Sequence, residues 1–326
     1  QRKYASCLVN PRACHETEIV FTKATAKKRI AVVGAGPAGL AASTELAARG
    51  YDVDLFDAAS EIGGQFNMAK QIPGKEEFYE TLRYFKRRIE VTGVKLNLNR
   101  RVSAEDLKGY DEILLATGVS PRNPKIPGQD GPNVLSYIDV LLHKKPVGPR
   151  VAVLGAGGIG FDVSEYLVHD GHSPTLDPEL WRKEWGVADP SVLRGGLTKP
   201  EVTPPARKVT LLQRKASQLG KGLGKTTGWI HRAQLKMKKV EMFAGANYEG
   251  IDAKGLHITF GEQRRDPTLI ECDTIVLCTG QEPLRDLQAP LEAMGNTVHL
   301  IGGALEAGEL DAKRAIDQAT RLAARL

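Results

Sequence analysis

The stretch Lys27–Ala58 reads KKRIAVVGAGPAGLAASTELAARGYDVDLFDA. Ile30 to Val33 form the unbroken apolar run of a strand buried on both faces, as in a parallel sheet. Gly34, Gly36 and Gly39 follow at once and open an Ala/Leu-rich helical run. In this spacing Gly34 permits the tight turn, Gly36 lets backbone amides approach a pyrophosphate, and Gly39 lets helix and strand pack closely. The start of the helix adds a partial positive charge for an anion. A second strand, YDVDLFD, ends in Asp57, about 20 residues beyond the glycines as a ribose-binding acid requires. A carboxylate there accepts from the ribose hydroxyls and repels a 2′-phosphate, so this site selects an unphosphorylated adenosine, as in FAD or NAD.

The pattern returns in PRVAVLGAGGIGFDVSEYL, with Val151 to Leu154 as the strand and Gly155, Gly157 and Gly160 as the loop. No acid arrives on schedule. A polar, Pro- and Gly-rich insertion runs from about Gly171 to Arg207, and only then comes the strand-like KVTLLQRKAS, which ends in Gln213, Arg214 and Lys215. Two cations in place of a carboxylate suit a ribose 2′-phosphate, because Arg offers a planar fork of donors and Lys a point charge. The alternative is a solvated basic turn. The second site is predicted to take NADP(H).

YDEILLATGVSPRNPKIPG and CDTIVLCTGQEP are two further strands that end alike, at Thr117-Gly118 and Thr279-Gly280. They resemble strands that, in flavoproteins with paired dinucleotide domains, return the chain to the nucleotide fold and mark crossings between domains. The predicted fold class is α/β, with two Rossmann-like three-layer dinucleotide-binding domains of the paired flavoprotein type. A first domain is expected over 27–145 plus 283–326, a second over 146–282, and an N-terminal segment over 1–26. The tail carries the strand TVHLIGG and the helical LDAKRAIDQATRLAARL.

The chain has 326 residues with 41% hydrophobic content, enough for two cores. Its 34 glycines cluster after apolar stretches, as tight strand-to-helix turns demand. The net charge is +6, yet the basic residues are dispersed among acidic ones without aromatic interleaving, which argues against nucleic acid as a partner. No window of about 18 apolar residues and no secretory pattern occurs, so a cytoplasmic protein without a membrane partner is expected. The four cysteines, Cys7, Cys14, Cys272 and Cys278, include no CxxC pair, which argues against a redox-active disulfide.

GAGPAG, EIGGQFNMAKQIPGKEEF, LLATGVSPR, LLQRKASQLGKGLGKTTGWIHR and VHLIGGALEAGELDAKRAI together resemble the C-terminal half of bacterial NADPH-dependent 2,4-dienoyl-CoA reductases, in the group that also contains trimethylamine dehydrogenase. The resemblance covers essentially the whole chain, and the QRKAS to GWIHR segment is its most specific part. It implies a linear electron path in a longer enzyme of unsaturated fatty acid β-oxidation: NADPH to FAD, to a [4Fe-4S] cluster, to FMN in an N-terminal barrel, and then to the dienoyl-CoA.

Position by position, the resemblance implies that Ala38 and its loop face the FAD pyrophosphate and Asp57 the ribose. Gly64 and Gln65 lie near the flavin side, Lys75 contacts a phosphate, and Val102 meets the adenine through its backbone. Arg214 and Lys215 match the NADP-selecting pair. Related flavoproteins end their last strand in Gly-Asp, whereas this one ends in Gly302-Gly303, so any contact at Gly303 comes from backbone amides or from the next helix.

The family's cluster is held by CxxCxxxC and a fourth cysteine in the context SCLVNP, which Cys7 matches, and thiolates are the ligands such clusters need. The other three ligands and the FMN barrel would precede Gln1, so the chain by itself is expected neither to hold the cluster nor to reduce an enoyl bond. Hydride transfer between stacked rings needs position rather than an acid or base, so no catalytic residue is assigned. His231 is read as a residue near the NADPH phosphates or the surface, Trp229 as packing, and Cys278 as a small buried hydrophobe. The competing readings are the electron-input subunit of another flavoprotein, such as the glutamate synthase small subunit, and a non-catalytic nucleotide-binding redox module.

Overall fold

A computed structural model of the chain describes residues 5–308 and 311–326. Two compact units emerge. The first comprises residues up to Asn67, Glu77–Ser120 and Gln281–Leu326; the second comprises Met68–Glu76 and Pro121–Gly280.

Each unit is built on a five-stranded sheet whose pairings are parallel. In the first unit the strands lie in the order Val298–Leu300, Glu112–Leu115, Arg29–Val33, Asp52–Phe56 and Lys95–Asn97. In the second the order is Val134–Ser136, Thr274–Leu277, Arg150–Leu154, Lys208–Leu212 and Glu241–Phe243. The two glycine loops thus leave the central strand of their sheets. Ile30, Val32, Leu114 and Leu154 are completely buried, which explains why these strands read as continuous apolar runs. A three-stranded antiparallel sheet, Ala246–Asp252, Gly255–Phe260 and Arg265–Glu271, belongs to the second unit.

Helix Pro37–Arg49 starts with Pro at its first turn and stops at Gly50, whose positive φ of 106° ends the helix with backbone bonds to Leu46 and Ala47. It packs on the C-terminal helix Ala312–Arg325, which buries Ile316, Ala319, Thr320 and Ala323 at helical spacing. Arg49 ties the two together by donating to the Ala323 carbonyl, and its Nε donates to the Thr22 carbonyl at 2.8 Å.

The units depart from the domain boundaries expected from sequence. Residues 121–145 fall in the second unit because Val134–Ser136 pairs with Thr274–Leu277, with Val134 opposite Ile275. Ser136 then caps helix Tyr137–Leu141 in a reciprocal box with Asp139, and Tyr137, Val140 and Leu141 enter the second core. Met68 and Ile72 enter the same core, which draws Met68–Glu76 out of the first unit. Of the expected segment 1–26, residues 1–4 lie outside the described residues.

Candidate functional site

The first glycine loop is held by backbone approaches that no side chain would tolerate. Gly34 has φ +109°, and a Cβ there would stand 2.3 Å from the Ala116 carbonyl oxygen. A Cβ on Gly39 would stand 1.8 Å from the carbonyl oxygen of Gly34. Gly36 caps helix Pro37–Arg49 without any side-chain hydrogen bond, and a Cβ on it would meet only the Gly64 Cα, at 4.0 Å. Gly64 itself, with φ +51°, comes so near that its own Cβ would lie 3.1 Å from the Gly36 Cα. Uncapped helix amides therefore face a space that side chains would fill, and an anion fits there.

Asp57 closes one side of this cradle. Its Oδ2 accepts from the Ala35 amide at 2.6 Å and its Oδ1 from the Ala59 amide at 2.8 Å. Ala38 is buried beneath Gly302, so only its backbone is offered to a ligand. Gln65 is half-buried, and Val102 is buried in one apolar cluster with Phe56 and Leu107. The Thr117 hydroxyl donates to the Leu284 carbonyl at 2.5 Å, and Gly118 has φ +76°. Gly303 lies against Gly118: a Cβ on it would be 3.1 Å from the Gly118 Cα and 2.9 Å from Val119. The Gly302 amide is taken by Gln318 Oε1 at 3.1 Å. The geometry fits a dinucleotide pyrophosphate at the loop with ribose beside Asp57.

The second loop repeats the first. Gly155 has φ +107° with its notional Cβ 2.2 Å from the Cys278 carbonyl oxygen, and that of Gly160 lies 1.7 Å from the Gly155 carbonyl oxygen. Gly157 caps helix Gly158–Val168 without a side-chain bond, and nothing stands within 4 Å of its Cβ position. Beyond strand Lys208–Leu212, Arg214 and Lys215 are exposed. Neither forms an ion pair with another described residue, whereas Arg150, Arg264 and Lys238 all do. Two unneutralised cations beside a pyrophosphate cradle fit a further phosphate. Thr279 donates to the Arg122 carbonyl at 3.4 Å, and Gly280 has φ +104°.

Lys75 differs from its expected role as a phosphate contact. Its ammonium reaches both carboxylate oxygens of Asp162 at 2.6 Å, within the second unit. This partner is 87 residues away in sequence, and the pairing neutralises the charge a phosphate would need. His231 is half-buried in the same unit, and burial, with Lys75 adding to it, holds its imidazole below the usual range. Trp229, expected to pack, is 58% exposed. Cys272 and Cys278 are buried; burial raises both thiols, that of Cys272 to about 11, so neither is a thiolate at neutral pH.

Cys7 is a free, half-buried thiol that lines a cavity of about 300 Å³ with Ser6, His15, Asp311 and Lys313. Among the described residues no group of three or more His, Cys, Asp or Glu side chains could hold a metal ion. The described residues thus offer an iron–sulfur cluster one thiol, and its remaining ligands would have to come from elsewhere. Cys14 is exposed.

The profile of the family described as pyridine nucleotide-disulphide oxidoreductase matches residues 28–304, which contain both cradles. The chain belongs to this family. It is accordingly an NAD(P)H-dependent flavoprotein oxidoreductase fold, and FAD and NAD(P)H are the family's ligands. Among curated relatives, the metal reductase of Desulforamulus reducens is 27% identical over 93% of this chain and 45% of its own length. The bilirubin reductase of Mediterraneibacter gnavus is 27% identical over 97% of this chain and 44% of its own. The chain thus spans about half the length of these relatives. A 2-naphthoyl-CoA reductase solved with 2-naphthoyl-CoA shares the fold, with TM-score 0.82, 24% identity and coverage of 98% of this chain and 43% of that one. Among the described residues no helix is long and apolar enough to cross a membrane.

Sequence reasoning missed Asp162 as the partner of Lys75 and Tyr248, whose hydroxyl donates to the Leu212 carbonyl at 3.1 Å. Neither had a local signal, because both contacts are made by residues distant in sequence.

Proposed function

We propose that the first cradle takes FAD and the second NADPH, and that the chain passes electrons from NADPH to FAD. The observation that carries this reading is one backbone built twice with opposite charges after the second strand: Asp57 in one copy, Arg214 and Lys215 in the other. When bound, FAD supplies the ring that accepts a hydride and passes electrons onward. The protein's part is to hold and orient. Asp57 keeps the loop amide of Ala35 in place and presents acceptor oxygens to ribose hydroxyls. Gly36 and Gly157 leave helix-start amides open to pyrophosphates, and Gly303 has only a backbone to offer. Arg214 and Lys215 supply the donors that separate NADPH from NADH.

The longer enzyme on this proposal is a 2,4-dienoyl-CoA reductase. In it Cys7 is the last thiolate of a [4Fe-4S] cluster, and an N-terminal FMN barrel reduces the substrate. The half-length coverage of the reductase relatives supports a further domain, and the shared fold of a reductase that binds an acyl-CoA thioester supports the substrate class. The half-buried Cys7 beside its cavity is compatible with a ligand role.

An anaerobic visible spectrum of the purified chain with FAD tests the electron transfer. Flavin bands that bleach with one equivalent of NADPH, and at least about tenfold more slowly with NADH, are the expected result. A chain that binds both nucleotides but shows no bleaching is a binding module rather than an enzyme.

A further inference from the structure

The turn that carries Arg214 and Lys215 has a counterpart, bond for bond, in the first unit. The Asp57 amide donates to the Asn97 carbonyl at 3.0 Å, and the Gln213 amide donates to the Phe243 carbonyl at 2.9 Å. The Asp57 carbonyl accepts from Arg100 at 2.9 Å, and the Gln213 carbonyl accepts from Ala246 at 3.0 Å. The Ala59 carbonyl accepts from Asn99 at 2.9 Å, and the Lys215 carbonyl accepts from Gly245 at 3.1 Å. Asn99 and Gly245 both have positive φ, 54° and 70°. Ala58 and Ala59 thus stand where Arg214 and Lys215 stand, and Asp57 where Gln213 stands.

On this shared backbone the two side chains do opposite things. The Asp57 carboxylate gathers amides, from Ala35 in the glycine loop and from Ala59 in the turn. The Gln213 amide nitrogen gathers carbonyls: it donates to the Lys215 oxygen at 2.9 Å and to the Ser217 oxygen at 2.5 Å. The Lys215 oxygen then has two donors, Gln213 Nε2 and the Gly245 amide. Both carbonyls thus turn inward toward the Gln213 amide rather than outward toward an incoming anion. The bonds also curl residues 213–217 into one closed loop, with Arg214 and Lys215 exposed upon it.

We propose that Gln213 is a positioning residue for 2′-phosphate recognition: it folds its own turn so that cations face the phosphate and carbonyl oxygens do not. This rests on the NADPH reading of the second cradle. Glutamine suits the role for two reasons: it lacks the charge that repels a phosphate, and it has the donor that aspartate lacks.

The test uses nucleotides that undergo no redox chemistry. Binding of 2′,5′-ADP and of 5′-AMP to the FAD-loaded chain is measured by calorimetry for wild type, Gln213→Ala and Gln213→Glu. Wild type is expected to prefer 2′,5′-ADP by about 100-fold or more, as two charge-assisted contacts predict. Gln213→Ala should cut that preference roughly fivefold, the effect of about one hydrogen bond, while 5′-AMP binding stays within about twofold. Gln213→Glu should cut it roughly 100-fold, because a carboxylate opposes both the two carbonyls and the phosphate. Retained 5′-AMP binding certifies that each variant is folded. If wild type shows no preference, the NADPH assignment fails and this proposal with it. If wild type prefers 2′,5′-ADP and both variants keep the full ratio, Gln213 has no such role and the NADPH assignment stands. Equal weakening of both nucleotides also overturns the proposal, since it marks a general structural role.

Discussion

The two cradles share their strand order, their positive-φ glycines and even the hydrogen bonds of the turn after the second strand, yet they differ in the side chains set on that frame. Asp57 and two alanines occupy the turn in one; Gln213, Arg214 and Lys215 occupy it in the other. On the proposed assignment, the difference teaches that backbone sterics fix where a pyrophosphate can lie, whereas selection of the ribose depends on a few side chains at one turn, of which Arg214 and Lys215 are exposed while Asp57 and Gln213 are half-buried and also fasten backbone. Mutations in the first class should therefore abolish binding in one unit, and mutations in the second class should change which nucleotide is preferred.

The largest effects are expected at Gly39 and Gly160, whose added Cβ would stand 1.8 and 1.7 Å from a carbonyl oxygen. The clashing atom is backbone in both cases and cannot swing aside as a side-chain end could, so strand and helix must part and the loop must deform. Gly39→Ala should yield a chain with no flavin absorbance after addition of FAD. Gly160→Ala should remain yellow but no longer bleach with NADPH. If either change abolished both properties, the cradles would not be separable and the comparison would break.

Next in size is the pair Arg214→Ala and Lys215→Ala. Removing both donors should lower kcat/KM for NADPH by roughly 100-fold while that for NADH moves less than about threefold, since a hydrogen bond to a charged group is worth about 1.5–3 kcal/mol. Steady-state rates with an artificial acceptor give both numbers. An equal fall with both nucleotides would mean that the cations serve the pyrophosphate instead.

Asp57→Asn sharpens the other half. The amide keeps one acceptor where the carboxylate had two oxygens bonded to the Ala35 and Ala59 amides, and it loses the charge that strengthens both bonds. FAD should bind to the apoprotein about tenfold more weakly, by fluorescence titration, with NADPH affinity unaltered. No change in FAD affinity would reduce Asp57 to a loop fastener.

How much of this was legible in sequence follows from locality. The glycines could be read because their spacing within one short loop is itself the signal, although Gly34 and Gly155 answer to distant carbonyls at Ala116 and Cys278, and Asp57 could be read because its distance from the loop is set by one helix and one strand. The boundary expected at Lys145 was not legible. The segment from Asn133 to Leu141 folds as a strand and a capped helix, and nothing local says which sheet Val134 will join. Lys75 stood in a segment that read as part of the first domain, and its Asp162 partner appears only once Ile72 has entered the second core. Gln213 was visible as a residue at the end of a strand; what its amide does depends on how the turn curls.

The smallest expected effect comes from a second departure between the copies, in the helix after each loop. Thr44 is buried in the first unit and satisfies its hydroxyl on the Leu40 carbonyl of its own helix at 2.8 Å. Glu165, the matching residue of the second helix, is 4% exposed, and its Oε1 has no hydrogen-bond partner. Burial raises its carboxyl to about 8; Asp162 adds to the shift, and Lys238 and Lys75 oppose it without reversing it. His169, at the end of that helix, donates from Nδ1 to the Glu165 carbonyl at 2.8 Å, and burial depresses its imidazole, so it supplies no compensating cation. Because the folded state holds the Glu165 proton more tightly than the unfolded chain, the resulting stability is fully present below the ordinary value of 4.5 and is lost as pH rises through about 8. Glu165→Gln keeps the volume and removes the charge, so it should raise Tm by about 5 °C at pH 9 and by less than about 2 °C at pH 5. Thr44→Val, which deletes the corresponding polar group of the first unit, should give the same shift at both pH values. Equal shifts for the Glu165 variant would show that its carboxylate ionises without penalty, and the second helix would then be no more sensitive to pH than the first.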